Sequence, residues 1–154
     1  MNFIGPLFIV GLSRSGTKLI RDLLNQSSKI FIPDYESHFI PEILRLDGLS
    51  LEQIYLKLGK SSFVKKFPET KFPSFKTLET VTLIRNKSDL IEAVLKYYAL
   101  ENRSEKWDKN FIWGDKTPSN LRYLDLLYLH YPNSKFIHII RDPRDRAISV
   151  NNTW

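Results

Sequence analysis

The chain has 154 residues, 42% of them hydrophobic, which supplies enough apolar material for one domain with its own core. It contains no cysteine, so disulfide bonds, thiol catalysis and cysteine-bound zinc are excluded. The formal net charge of +6 indicates either an anionic ligand or a solvated lysine-rich surface, and the lack of a dense basic tract argues against nucleic acid.

The first predicted unit is a strand, a loop of small residues and a helix. Residues 7–10 form an apolar run short enough for a buried strand, and residues 11–17 read GLSRSGT. An amphipathic helical pattern follows, with four residues predicted to face inward: Leu19, Ile20, Leu23 and Leu24. The loop N–H groups and the helix N-terminus of such a unit can hold an anion, although a plain strand–helix turn has the same pattern.

The loop side chains suit an anion. Arg14 can make a bidentate contact, Ser15 and Thr17 offer hydroxyl donors, and Lys18 adds a mobile positive charge. Gly16 permits the backbone angles that a tight loop needs. The loop is close to a Walker A box, but the lysine comes one residue too late after the second glycine.

The next stretch predicts a short strand at residues 29–32 and a polar turn at residues 34–37. Helices are predicted at residues 39–46 and 50–58, the second with Ser50 as its N-cap. The N-terminal apolar run is too short to cross a membrane and no basic segment precedes it, as it would in a signal peptide. We therefore expect a cytoplasmic protein without a membrane span.

Residues 61–85 have two prolines and several lysines, and we predict irregular surface or a lid there. The aromatic residues of this stretch either line an acceptor cleft or pack the loop, and packing is the favoured interpretation: Phe63, Phe67, Phe72 and Phe75. A helix at residues 88–102 and a charged loop at residues 102–110 complete this part of the chain.

The last third alternates again between strand and helix. Residues 111–113 predict a strand, and a helix is predicted from Pro118 to about residue 130, with Thr117 as its N-cap. Its inward residues are predicted to be Leu121, Leu124, Leu127 and Tyr128. A continuous apolar strand at residues 136–140 and a helix from Pro143 follow, and the alternation predicts an α/β fold with a parallel sheet.

A second anion site is predicted where the last strand ends. Arg141 lies just past the carboxyl end of that strand, where open α/β sheets bind their ligands, and Ser149 comes two helical turns later. Together they can hold a second phosphate. The alternative is that Arg141 pairs with Asp145 or caps the sheet edge, and that Ser149 is an ordinary helix residue.

Three segments in combination, SRSGTK, DKTP and PNSKFIHIIRDPR, resemble the sulfotransferase family that uses 3′-phosphoadenosine-5′-phosphosulfate (PAPS), and most closely its tyrosylprotein and carbohydrate branch. The likeness covers residues 6–150. It implies a P-loop-like, three-layer fold, with helices on both faces of a parallel sheet. It also implies that residues 1–154 are a single, C-terminally truncated sulfotransferase domain, because the family domain normally continues further.

The resemblance also assigns roles to individual residues. Those matching the 5′-phosphosulfate loop are Arg14, Ser15, Gly16 and Thr17, with Lys18 standing where the family has a second threonine. Those matching the 3′-phosphate site are Arg141 and Ser149. Those matching catalytic positions are Arg14, Lys116 near the transferring sulfuryl group, and Glu36 of ESHFIP as the base. His38 lies two residues from Glu36 and is the reserve candidate for the base.

The implied reaction is transfer of a sulfuryl group from PAPS to an acceptor hydroxyl or amine, without a metal. The acceptor is a sugar, a peptide tyrosine or a lipid. Simpler roles stay open, with Glu36 as a solvated turn carboxylate and Lys116 paired with Asp115. Two other functions stay open as well: a P-loop kinase or hydrolase using Mg-ATP, and an inactive nucleotide-binding fragment.

Overall fold

The computed structural model describes residues 5–67, 72–102 and 111–151. Four parallel strands form one sheet in the order β2-β3-β1-β4. They are β1 (Leu7–Gly11), β2 (Ile30–Phe31), β3 (Ile112–Lys116) and β4 (Lys135–Ile139). The predicted charged loop lies outside the described residues apart from its first residue, Asn102.

Seven α-helices occur in the described part of the chain: α1 (Thr17–Leu24), α2 (Phe39–Leu44), α3 (Leu51–Leu58), α4 (Phe75–Glu79), α5 (Lys87–Glu101), α6 (Leu124–His130) and α7 (Pro143–Asn151). Two 3-10 helices lie at Val64–Lys66 and Pro118–Tyr123. Local capping explains several starts. Ser50 and Gln53 form a reciprocal capping box on α3, and Asn86 accepts two backbone N–H bonds at the start of α5.

The two faces of the sheet carry separate hydrophobic clusters, because successive side chains of a strand point to opposite sides. On β1, Phe8 and Val10 belong to the larger cluster, which includes side chains of α2, α3, α5 and α6. Leu7 and Ile9 belong to the smaller cluster, which packs against Ile20 of α1. Helices therefore cover both faces, and the predicted three-layer α/β fold is confirmed.

The interpretation of residues 61–85 as irregular surface or a lid is wrong in part, and residues 68–71 of this stretch lie outside the described residues. The stretch contains the Val64–Lys66 helix and α4, and both Phe63 and Phe67 are buried against Tyr98. The aromatic rings bury apolar area that outweighs the neighbouring lysines and prolines. The packing interpretation of these aromatic residues is confirmed.

Two predicted helical faces need correction. In α1 the buried side runs through Thr17 and Arg21, which leaves Leu19 and Leu23 on the opposite side, 62% and 52% exposed. The helix predicted from Pro118 is divided into the 3-10 helix Pro118–Tyr123 and α6, and Tyr128 is exposed rather than inward. Within α6, Leu127 is buried and Tyr128 is 59% exposed, so the buried side of this helix is narrower than the spacing predicted.

The sheet places a crevice beside the ends of β1 and β3. The chain leaves β1 towards α1 on one face and leaves β3 towards α6 on the other, although the two strands are neighbours. Ligands of open α/β sheets bind where neighbouring strands diverge in this way. The end of β4, on the other side of β1, lies beside the same crevice.

Candidate active site

A pocket of about 710 Å³ opens at the carboxyl ends of β1, β3 and β4. Its wall includes nearly all of the residues that the sequence singled out: Arg14, Gly16, Thr17, Lys18, Glu36, His38, Lys116, Arg141 and Ser149. Ser15 is the exception. It is buried in the loop, where its hydroxyl donates a 2.6 Å hydrogen bond to the carbonyl oxygen of Leu12. Ser15 thus shapes the loop that carries its neighbours.

The loop after β1 depends on two glycines. A Cβ atom on Gly11 would lie only 2.7 Å from the carbonyl oxygen of Ile139, so the close contact with β4 requires glycine. Gly16 has a φ of 100°, and a Cβ atom there would meet no protein atom within 4 Å. Arg14 also has a positive φ, of 67°, which is strained for a residue with a side chain. The loop combines a strained backbone with open space above Gly16.

The loops after β1 and β4 contact each other directly. Arg14 Nε donates to Ser149 Oγ at 3.3 Å, and Arg141 Nη1 donates to the carbonyl oxygen of Arg14 at 3.2 Å. Arg141 therefore bonds to the first loop rather than to Asp145. Because the two predicted anion sites share these bonds, they form one continuous cationic wall.

Arg146 belongs to this wall and was missed in the sequence. Its Nε donates to the carbonyl oxygen of Ser13 at 2.9 Å, and its side chain lines the pocket. Arg146 precedes Ser149 by three residues, so both lie on one side of α7, and this spacing was a usable signal. Arg122 was missed as well; it lines the pocket from the helix Pro118–Tyr123.

Asp142 starts α7. Its Oδ1 accepts the backbone N–H of Arg144 at 2.8 Å, and its Oδ2 lies 2.7 Å from the Arg144 guanidinium. The hydrogen bonds from Arg144 hold the pKa of the Asp142 carboxyl below its usual value. The predicted start of this helix is confirmed, and the carboxylate is occupied in capping it.

Lys116 and Glu36 form an ion pair at the base of the pocket. Lys116 Nζ lies 2.5 Å from Glu36 Oε1, and only 9% of the Lys116 side chain is exposed. His38 Nε2 lies 3.1 Å from the other carboxylate oxygen of Glu36. Lys116 thus pairs with Glu36 rather than with Asp115, and Glu36 is engaged on both oxygens rather than being a solvated turn carboxylate.

The pocket is strongly positive. Of the described residues that line it, Glu36 is the one carboxylate. The cationic side chains are Arg14, Lys18, Lys116, Arg122, Arg141 and Arg146. Such a wall favours a ligand with several negative charges, and guanidinium groups can bind phosphate or sulfate oxygens in pairs.

Two further observations hold for residues 5–67, 72–102 and 111–151. None of the helices there is long and apolar enough to cross a membrane. No group of three or more histidine, aspartate or glutamate side chains is arranged to hold a metal ion.

The comparisons with known proteins identify the class of protein. The model of the sulfotransferase family matches residues 6–153, and the chain belongs to that family. A relative from Aquifex aeolicus (strain VF5), described as an uncharacterized protein, is 30% identical over 145 residues. That match covers 94% of this chain but only 16% of the relative. The crystal structure of the sulfotransferase STF9 from Mycobacterium avium is 20% identical with a TM-score of 0.43, and the match covers 100% of this chain and 47% of that one.

Proposed function

We propose that the chain transfers a sulfuryl group from PAPS to an acceptor hydroxyl or amine. The observation that carries this proposal is the contact between the two anion loops beside the Lys116–Glu36 pair. One pocket then offers cations for both phosphorylated ends of the donor and an acid–base pair for the chemistry. Membership in the sulfotransferase family supports sulfuryl transfer as the reaction.

The residues of the pocket suit a donor with two separate anionic groups. Arg14 and the open space above Gly16 would take the 5′-phosphosulfate, with Thr17 and Lys18 beside them. On the α7 side, Arg141 and Ser149 would take the 3′-phosphate. Arg146 lines the pocket on that side and adds a third group for the same phosphate. PAPS supplies the activated sulfuryl group when bound.

The transfer is an in-line displacement. The acceptor oxygen or nitrogen forms a bond to sulfur while the bond between sulfur and the bridging oxygen breaks, and the electron pair stays on the departing adenosine 3′,5′-bisphosphate. The acceptor proton goes to the Glu36 carboxylate. Arg14 and Lys116 stabilise the charge on the sulfuryl and bridging oxygens, as cationic side chains do in phosphoryl transfer.

The Lys116–Glu36 pair gives each group a partner before the donor arrives. The negative sulfuryl group offers Lys116 a second anionic partner, and this frees one oxygen of Glu36 for the acceptor proton. His38, on the other oxygen at 3.1 Å, keeps the carboxylate oriented towards the pocket. We therefore assign Glu36 as the base and His38 as an orienting group.

The acceptor stays open among a sugar, a peptide tyrosine and a lipid. Ser119 and Arg122 line the same pocket as Glu36, and these side chains would meet the acceptor. The family is known from the sequence match, but the acceptor depends on side chains that differ from one sulfotransferase to another.

Calorimetric titration of the full chain with adenosine 3′,5′-bisphosphate and with ATP, each in EDTA and in magnesium, tests the proposal. We expect the bisphosphate to bind without magnesium and more tightly than ATP. A magnesium-dependent preference for ATP would support a P-loop kinase or hydrolase instead. Bisphosphate binding without turnover of PAPS on a panel of sugar, tyrosine-peptide and lipid acceptors would favour a nucleotide-binding module.

A further inference from the structure

Asp115 is a buried carboxylate that the proposed reaction does not use. Asp115 is only 1% exposed and lies near the end of β3. Its Oδ1 accepts the Ser37 N–H at 3.3 Å and the hydroxyls of Ser37 and Thr117, the latter at 3.0 Å. Its Oδ2 accepts from Asn120 Nδ2 at 3.0 Å. Four hydrogen bonds thus converge on one side chain that has no room to touch a substrate.

The donors do not compete with one another, and the Ser37 N–H is shared between Asp115 Oδ1 at 3.3 Å and Thr117 Oγ1 at 2.9 Å. Thr117 Oγ1 accepts the Ser37 N–H at 2.9 Å, which leaves its own proton for Asp115. Burial raises the pKa of the Asp115 carboxyl above its usual value and outweighs the bonds from Ser37 and Thr117 and the charge of Lys116, which lower it. In this geometry both carboxyl oxygens act as hydrogen-bond acceptors.

The network joins the two backbone segments that carry the acid–base pair. Ser37 directly follows Glu36, and Asp115 directly precedes Lys116. Lys116 is held by the sheet, where it pairs in register with Ile9 of β1. Residues 32–38 lie between β2 and α2 with no strand or helix of their own, so Glu36 depends on side-chain bonds for its position.

We propose that Asp115 is a positioning residue that fixes the Glu36 carboxylate relative to Lys116 and to the acceptor. This inference rests on the proposed function for its catalytic consequence. The Arg21 guanidinium holds the far end of the same segment through the carbonyl oxygen of Asp34 at 2.9 Å. With Asp115 removed, that bond, the Ser37 N–H bond to Thr117 Oγ1 and the start of α2 remain, but the hydroxyls of Ser37 and Thr117 lose their common acceptor.

The first test compares Asp115→Asn with the double variant Asp115→Asn/Asn120→Asp. Asparagine at 115 keeps its carbonyl oxygen as the acceptor for Ser37 and Thr117. Its amide NH₂ group then faces the NH₂ group of Asn120, so two donors lie opposite each other. The double variant restores a donor–acceptor pair with the roles exchanged. We expect the kcat for sulfuryl transfer to fall tenfold to a hundredfold, roughly the effect of a 1 Å misplacement, and to recover at least fivefold in the double variant.

The affinity for the donor nucleotide distinguishes a loss of positioning at Glu36 from a loss of the folded structure as a whole. Adenosine 3′,5′-bisphosphate should bind Asp115→Asn within threefold of the wild type, because the anion loops after β1 and β4 are untouched. Tyr131→Phe is the matched control: it removes the hydroxyl that donates to the Ser88 carbonyl at 3.2 Å, a bond outside the pocket, and should leave kcat unchanged. Equal losses of kcat in the control and in Asp115→Asn, or no loss in either, would overturn the proposal.

A second measurement does not need turnover. The ¹⁵N signal of the Lys116 ammonium, identified with Lys116→Arg, should shift in Glu36→Gln because the ion pair is lost. Ser37→Ala, which breaks the network and keeps the Asp115 charge beside Lys116, should produce part of the same shift, and Asp115→Asn, which also removes that charge, should produce a larger one. An unchanged signal in a folded Asp115→Asn variant would refute positioning. If the wild type neither binds the bisphosphate nor uses PAPS, the proposed function fails, and this signal still decides the structural part.

Discussion

Arg14 has a positive φ of 67° and also places a guanidinium group on the wall of the pocket, and two substitutions separate these properties. Arg14→Ala removes the guanidinium and keeps the strained backbone. Arg14→Gly removes the guanidinium and the strain together. The pair therefore separates the strain of the loop backbone from the contribution of the guanidinium group.

The expected stabilities follow from opposing effects. A side chain in the left-handed region costs about 1–2 kcal/mol, and glycine at the same place avoids this cost. Glycine loses more backbone freedom on folding, which costs roughly 0.5–1 kcal/mol. Arg14→Gly should accordingly be more stable than Arg14→Ala by about 0.5–1 kcal/mol, equivalent to a Tm roughly 1–4 °C higher for a chain of this size.

Both variants should lose the same donor affinity. A charge-assisted hydrogen bond contributes about 1.5–3 kcal/mol, so the Kd for adenosine 3′,5′-bisphosphate should rise roughly tenfold to 150-fold in each. Thermal unfolding and calorimetric titration of the two variants, side by side, provide the measurements. Equal or reversed Tm values would refute the strained loop, and unchanged affinity in both variants would refute Arg14 as a donor contact.

Three further predictions concern the base, the second anion loop and a buried tyrosine. Glu36→Gln should lower kcat by roughly 10²–10⁴-fold, while bisphosphate binding stays equal or tightens because Lys116 loses its partner; full turnover in this variant would contradict the base assignment. Arg141→Ala should weaken bisphosphate binding roughly tenfold or more. Arg85→Ala removes the same charge outside the pocket and should leave the affinity unchanged. Equal effects of the two substitutions would mean that only the net charge matters. Burial is the main cause, and the Glu92 charge the second, of a pKa of Tyr131 well above its usual value of 10.0. The folded chain therefore keeps Tyr131 neutral while the unfolded chain ionises it above pH 10, so the free energy of unfolding falls as the pH rises above 10. Urea unfolding at pH 9 and pH 11 should therefore show about 1 kcal/mol less loss for Tyr131→Phe than for the wild type, and identical losses would mean that Tyr131 ionises in the folded chain.

The strand–loop–helix units were predictable because their signals are local. The apolar run of β1, the glycines of the next loop and the Asp-Pro start of α7 each act within a few residues. Alternation of such units restricts the fold to a parallel sheet with helices on both faces. The family resemblance then assigned a phosphate-binding role to each of the loops after β1 and β4.

The errors arose where packing overrode local pattern. Phe63 and Phe67 lie among lysines and prolines, and nothing local shows that Tyr98, some thirty residues on, receives them. Leu19 and Leu23 have helical spacing, but the side of α1 that is buried is the one that carries Thr17. Which side of a helix is buried depends on the surface that it meets, and that surface is not encoded in the helix itself.

The Lys116–Glu36 ion pair shows the same limit within the site. Glu36 and Lys116 are 80 positions apart, and the sequence offered Asp115, the direct neighbour of Lys116, as an equally simple partner. The structure reverses this, because adjacent strand residues point to opposite sides: Lys116 turns to the pocket and Asp115 to the buried network with Ser37. The two charged residues of the DKTP motif therefore lie in different environments, Lys116 on the wall of the pocket and Asp115 in a buried hydrogen-bond network. Distinguishing them required the register of β3 in the sheet, which no spacing within the motif specifies.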